Sequence, residues 1–103
     1  MYENGKIYMG LAGDKRVELA LNMCNRHGLI AGASGTGKTV TMKVMAESFS
    51  DAGVPVFLCD VKGDVAGICA PGQSSEGMEK RIDKFGLRDR FVYQGYPTTF
   101  WDV

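Results

Sequence analysis

Residues 32–39, with the sequence Gly-Ala-Ser-Gly-Thr-Gly-Lys-Thr, constrain the fold of this 103-residue chain more than any other segment. They match G-x-x-x-x-G-K-[S/T] at every fixed position. A loop of this kind surrounds phosphate groups with backbone N–H groups, and glycine permits the closest approach because it has no Cβ. The first N–H groups of a following helix are unpaired and attract anions. The segment therefore predicts a phosphate-binding loop that leads into a helix.

The predicted loop and the first helical turn supply the candidate ligand-binding residues. Lys38 adds a positive charge for the β- and γ-phosphates of a triphosphate and is the candidate catalytic residue. Thr39 offers a hydroxyl oxygen, a ligand type that Mg²⁺ prefers, and is the candidate metal ligand. The alternative is a glycine-rich turn with an incidental lysine, which the flanking pattern disfavours. The full candidate set in this segment is Gly32, Ala33, Ser34, Gly35, Thr36, Gly37, Lys38, Thr39 and Val40.

The segments on either side of the loop predict an α/β fold. Residues 27–32 form a compact apolar run typical of a buried parallel strand. Residues 37–52 have helical periodicity that ends at Gly53, and residues 54–59 form a second apolar run. Strand, helix and strand in this order predict a right-handed βαβ unit. We therefore expect a three-layer α/β domain with a mainly parallel sheet.

The rest of the chain predicts shorter elements. Two strand-like stretches joined by Gly13-Asp14 precede residue 25, which divides the chain into an amino-terminal β element at 1–24 and an incomplete domain start at 25–103. A short helix is expected after the loop at 71–75, which supplies an N-cap serine, and this helix should end at Gly86. Residues 91–93 and 99–103 are expected to form further strands.

Asp60 begins a polar segment, Asp-Val-Lys-Gly-Asp, at the carboxyl end of the second apolar run. Ligands bind at this end of the strands in open α/β sheets, so Asp60 is a further nucleotide-binding candidate. The alternative is a polar turn that leaves a buried strand. Val61 follows Asp60, so the Asp-Glu pair that supplies a general base in motor-type ATPases is absent here.

Composition excludes several other classes of function. Twelve basic and twelve acidic residues give a net charge of zero, which argues against a globally basic nucleic-acid binder. Three cysteines without C-x-x-C spacing and a single histidine argue against a disulfide framework and a Cys/His metal site. No apolar run is long enough to cross a bilayer and no signal peptide is recognisable, so we expect no membrane association and a cytoplasmic location.

Residues 25–41 resemble the phosphate-loop region of HerA-like ATPases, relatives of the FtsK-type DNA-translocating motors. The resemblance continues through residues 53–57, 60–64 and 97–103, and is nearest to a bacterial HerA-like helicase subgroup. It implies a RecA-like core, the cofactors ATP and Mg²⁺, a ring of identical subunits (often six), and ATP hydrolysis coupled to movement along DNA. Because such proteins are several times longer, it implies an amino-terminal part whose catalytic glutamate, arginine finger and DNA-contacting loops lie elsewhere.

Three other functions are compatible with a phosphate-binding loop. A small phosphotransferase such as a nucleotide kinase shares the strand–loop–helix start but needs basic lid residues, and no such cluster is evident. A GTPase usually needs an Asn-Lys-x-Asp segment, which this sequence lacks. The third alternative is a non-catalytic module in which ATP only stabilises the fold.

Overall fold

The computed structural model describes residues 1–60 and 62–101. The chain divides into two compact units, Met1–Val65 and Ala66–Val103. The first unit contains a small sheet and the helix that follows the glycine-rich loop, and the second contains a shorter helix. The glycine-rich loop therefore belongs to the first unit.

The first unit begins with a three-stranded antiparallel sheet, β1 (Tyr2–Glu3), β2 (Lys6–Ala12) and β3 (Lys15–Ala20), arranged in chain order. Asn4 and Gly5 connect β1 to β2 with φ of 49° and 76°. A type I′ hairpin turn needs positive φ at both central residues, and Asn-Gly is its preferred sequence. The Asn4-Gly5 dipeptide thus explains β1, a strand that was not predicted from the sequence.

Helix α1 (Lys38–Asp51) packs against β1 and β2. The buried apolar residues of these elements include Ile7, which is fully buried, together with Tyr8 and Ala46. Ser48 is also buried, and its hydroxyl donates to the carbonyl of Val44 at 2.6 Å, which satisfies the polar group inside the helix. The packing of α1 on the sheet fixes the position of the loop that precedes the helix.

Helix α1 ends as the sequence predicts. Gly53 follows the helix with φ of 84°, and the N–H of Val54 donates to the carbonyl of Phe49 at 2.9 Å. The N–H of Gly53 donates to the carbonyl of Ser50 at 2.9 Å. These two bonds form a Schellman motif, in which the left-handed residue is usually glycine.

The second unit contains a 3₁₀ turn at Ala66–Cys69 and helix α2 (Glu76–Lys84). Ser75 caps α2, accepting a hydrogen bond from the N–H of Met78 at 3.2 Å through its hydroxyl. Gly86, with φ of 66°, ends the helix. The N–H of Leu87 donates to the carbonyl of Ile82 at 2.8 Å, so α2 also closes with a Schellman motif. Both predicted ends of this helix are confirmed.

The predicted fold class is wrong. Within the described ranges every strand pair is antiparallel, and residues 27–32 and 54–59 form no strand. A three-layer, RecA-like domain with a mainly parallel sheet is therefore not the architecture of this chain, and the predicted βαβ unit is absent from the described residues. Leu29 is 90% exposed and Phe57 is 77% exposed, so neither apolar run is buried.

The physical reason is that an apolar run specifies a tendency to be buried but not a hydrogen-bonding partner. A strand exists only when a neighbouring strand accepts and donates its backbone hydrogen bonds. Residues 91–93 and 99–101 also form no strand, and residues 102 and 103 of the last predicted strand lie outside the described residues. The domain boundary after residue 24 stays a prediction.

Candidate phosphate-binding loop

The glycine-rich loop turns sharply at residues 34–37, directly before α1. Gly35 and Gly37 have φ of 77° and 99°, in the left-handed region that residues with a Cβ rarely adopt. Gly37 is the N-cap residue of α1, and its carbonyl accepts the first helical hydrogen bond, from the N–H of Thr41 at 2.9 Å. These two glycines let the chain reverse and enter the helix within four residues.

The carbonyl of Ala33 is the acceptor at the centre of this loop. It receives the N–H of Thr36 at 3.3 Å and the hydroxyl of Thr36 at 2.6 Å. The Nζ atom of Lys38 donates to the same carbonyl at 2.8 Å. The Lys38 ammonium therefore lies over the loop, where a backbone carbonyl of the loop accepts its hydrogen bond.

Gly32 is required for a different reason, the close approach of Thr36. A Cβ built on Gly32 would lie 2.5 Å from the Oγ1 atom of Thr36 and 3.5 Å from the Cγ atom of Lys38. Real Cβ atoms essentially never approach a heavy atom within 3.0 Å, so a larger residue at 32 would shift the Thr36 hydroxyl away from its position at Ala33. The first fixed glycine of the pattern thus makes room for the bonds that close the loop.

The amino-terminal end of α1 offers backbone N–H donors, and its first turn has no carboxylate side chain that could bind them. The N–H groups of residues 38–40 precede the first helical bond, Gly37 has no side chain to cap them, and the first turn contains no acidic residue. Unpaired amides and the helix dipole make this end electropositive. Lys38 and Thr39 are half-buried there, whereas Val40 is 54% exposed.

The chemical groups of this loop and helix start are of the types that bind a polyphosphate and Mg²⁺. Amide N–H groups and an ammonium donate to anionic oxygens, and the hydroxyl of Thr39 is a hard oxygen ligand. A Cβ added at Gly32 would meet the Thr36 hydroxyl, whereas Gly35 and Gly37 have open space around them and are favoured by their positive φ. The candidate residues between Gly32 and Val40 lie in one continuous turn and helix start, as the motif predicts.

The carboxylate of Asp60 accepts hydrogen bonds from backbone N–H groups of its own segment. Its Oδ1 atom accepts the N–H groups of Gly63 at 2.9 Å and Asp64 at 3.1 Å, and Oδ2 accepts the N–H of Val65 at 3.0 Å. The bond from Val65 contributes most, and together these donors lower the pKa of the Asp60 carboxyl below its ordinary value. This geometry agrees with the polar-turn interpretation. A role of Asp60 at the nucleotide stays a prediction.

The contact between Thr36 and Ala33 was not predicted from the sequence. The motif leaves position 36 unspecified, so matching its fixed positions gives no role to the Thr36 side chain. The sequence does contain a signal for this contact, because Ser and Thr hydroxyls in turns often form hydrogen bonds to backbone groups a few residues away.

The described residues contain no group of three or more His, Cys, Asp or Glu side chains placed to hold a metal ion. No helix among them has the length and apolar character needed to cross a membrane.

Comparison with known families identifies the class of the protein. The model of the family described as helicase HerA-like C-terminal matches residues 8–103, nearly the whole chain. The chain therefore belongs to the HerA-like helicase family, which confirms the resemblance found in the sequence. The family description assigns the chain to the C-terminal domain, which corrects the expectation of an amino-terminal part. No curated protein and no solved structure matches the chain.

Proposed function

We propose that residues 32–40 bind Mg-ATP through its phosphates, as part of a HerA-like ATPase that couples ATP hydrolysis to movement along DNA. The observation that supports this proposal most is the convergence of the Lys38 ammonium and the open end of α1 on one turned loop. A loop that only connected two elements would have no need for an ammonium held over it by the Ala33 carbonyl.

Each group in the loop has a distinct role in this proposal. The N–H groups at the start of α1 donate to phosphate oxygens, and Lys38 neutralises charge on the β- and γ-phosphates. Thr39 supplies its hydroxyl oxygen to Mg²⁺, which when bound offsets phosphate charge. The sequence contains no Asp-Glu pair to supply a general base, so we expect this chain to bind ATP with little turnover. DNA and further copies of the subunit are the proposed partners of the full-length protein.

The first experiment compares two lysines of helix α1 by calorimetric titration with Mg-ATP. Lys38→Ala removes the ammonium held over the loop, and Lys43→Ala removes a lysine further along the same helix. A hydrogen bond to a charged group contributes about 1.5–3 kcal/mol, which corresponds to a loss of affinity of roughly 10- to 150-fold for Lys38→Ala. We expect Lys43→Ala to bind like the wild type. Undiminished affinity in Lys38→Ala would contradict the proposal.

The second experiment separates the proposal from a phosphotransferase. The chain is incubated with Mg-ATP and a mixture of nucleosides and nucleoside monophosphates, and all phosphorylated products are measured. We expect no transfer to these acceptors, because an ATPase transfers phosphate only to water. Formation of nucleoside monophosphates or diphosphates from the added acceptors would support a nucleotide kinase instead.

A further inference from the structure

We infer that Thr36 is a positioning residue for Lys38 and acts through the carbonyl of Ala33. This inference deepens the proposed function and rests on it where nucleotide affinity is concerned. The predicted fixed positions of the motif do not include Thr36. The structure nevertheless gives its hydroxyl the shortest of the three hydrogen bonds that the Ala33 carbonyl accepts.

The geometry of these bonds links the two side chains. Thr36 donates to the Ala33 carbonyl twice, through Oγ1 at 2.6 Å and through its N–H at 3.3 Å. Lys38 donates to the same oxygen through Nζ at 2.8 Å. A carbonyl oxygen has two lone pairs and can accept both side chains, and the short bond from the Thr36 hydroxyl restrains rotation of the Ala33 peptide unit. The Thr36 hydroxyl therefore fixes the direction in which the Ala33 carbonyl meets the ammonium.

The absence of a side chain at Gly32 leaves room for the Thr36 side chain in this position. A Cβ on residue 32 would lie 2.5 Å from the Thr36 Oγ1 atom. The hydroxyl can therefore reach the Ala33 carbonyl only because residue 32 is a glycine. A valine at position 36 would keep the β-branched shape but could not donate, and a serine would keep the donor without the methyl group.

Two consequences follow for Lys38. Without the Thr36 hydroxyl, the Ala33 carbonyl keeps only the longer bond from the Thr36 N–H besides the ammonium, so its direction is less firmly held. The ammonium then becomes more accessible to small reagents in the free protein. It must also be ordered again when a polyphosphate binds, which weakens affinity because preorganisation is lost.

The test uses Thr36→Val and Thr36→Ser in the 103-residue chain and follows the ligand-free protein first. Partial acetylation followed by mass spectrometry gives the modification rate of Lys38 relative to Lys43 in the same molecule. A neutral hydrogen bond of ordinary strength corresponds to about a three- to tenfold effect. We expect Thr36→Val to raise the relative rate at Lys38 by this factor and Thr36→Ser to restore it. Circular dichroism checks that the variants keep their helices.

The second measurement is the affinity for Mg-ATP, with the same expected factor for Thr36→Val and rescue by Thr36→Ser. An unchanged Lys38 rate in Thr36→Val overturns the inference even if affinity falls, because the residue would then act only on loop shape. Failure of Thr36→Ser to rescue also overturns it. A wild-type chain that does not bind Mg-ATP refutes the proposed function, whereas the acetylation rates still decide the role of Thr36.

Discussion

At the scale of single residues, Asp60 and Gly32 have contrasting structural roles. Asp60 organises a turn by accepting backbone N–H groups on both carboxylate oxygens, as a local substitute for secondary structure. Gly32 acts by having no side chain, since its missing Cβ leaves space for the Thr36 hydroxyl. In both cases the residue type follows from one local contact, with backbone N–H groups at Asp60 and with the Thr36 side chain at Gly32.

A prediction at this scale concerns the pH dependence of the Asp60 turn. The folded-state pKa of Asp60 is lowered, so its stabilising effect is present above the unfolded pKa of about 3.9 and is lost as pH falls through the lower folded value. Asp60→Asn leaves a single acceptor oxygen for three N–H groups, and we expect it to lower the free energy of unfolding at pH 7. The difference from wild type should shrink at pH 3.

Urea unfolding of both proteins at the two pH values measures this effect. Asp89→Asn is the matched control, because Asp89 is exposed and no hydrogen bond or ion pair of this side chain is present among the described residues. We expect it to match the wild type at pH 7. A stability of Asp60→Asn equal to that of the control at pH 7 would show that the turn bonds contribute nothing.

At the scale of elements, both helices end in the same way. Gly53 after α1 and Gly86 after α2 take left-handed conformations, and the following residue donates back into the helix. Each end is determined by residues within one turn of it, independently of what the helix packs against. For this reason both helix ends could be read from the sequence.

A pair of glycine substitutions in the α2 region tests this local control. Gly86→Ala places a Cβ on a residue with φ of 66°, and we expect a loss of about 1–2 kcal/mol. Gly77 lies inside α2 with open space around it, so Gly77→Ala should gain about 0.5–1 kcal/mol from helix propensity. Thermal unfolding of the two variants gives the comparison. Equal effects of the same sign would contradict the cap assignment.

The same reasoning explains which elements could not be predicted. Strands depend on partners elsewhere in the chain, so the apolar runs at 27–32 and 54–59 looked like strands although the described residues show no strand pairing for them. Strand β1 was missed although Asn4-Gly5 is a recognisable turn. The turn before α1 could be predicted because its motif lies within eight consecutive residues, but the contact between Thr36 and Ala33 depends on a variable position of that motif. Phosphate binding by this turn stays a prediction.

At the scale of the whole molecule, burial is concentrated in a few residues. Among residues 1–60 and 62–101, the buried apolar residues are Ile7, Tyr8, Ala46, Val65 and Ile82. Several large apolar side chains are exposed instead, among them Leu29 in the segment before the glycine-rich loop. The stability of the chain therefore depends on the contact between the sheet and α1 much more than on the segment at 27–32.

Two substitutions that remove the same number of atoms test whether stability depends on the buried side chains in this way. Ile7→Ala and Leu29→Ala each remove three carbon atoms, but Ile7 is fully buried and Leu29 is 90% exposed. We expect Ile7→Ala to lower the free energy of unfolding by about 2–5 kcal/mol and Leu29→Ala by less than about 0.5 kcal/mol. Urea unfolding at pH 7 provides both values. A loss at Leu29 comparable to that at Ile7 would contradict the exposed position of this segment.

The most direct test of the central claim is an NMR titration of the ¹⁵N-labelled chain with Mg-ATP. If the loop binds phosphates through its backbone, the amide signals of residues 33–40 shift progressively and saturate, while those of α2 remain in place. A titration in which the loop amides do not move at saturating Mg-ATP, or in which the shifts lie only outside residues 32–40, would contradict the account.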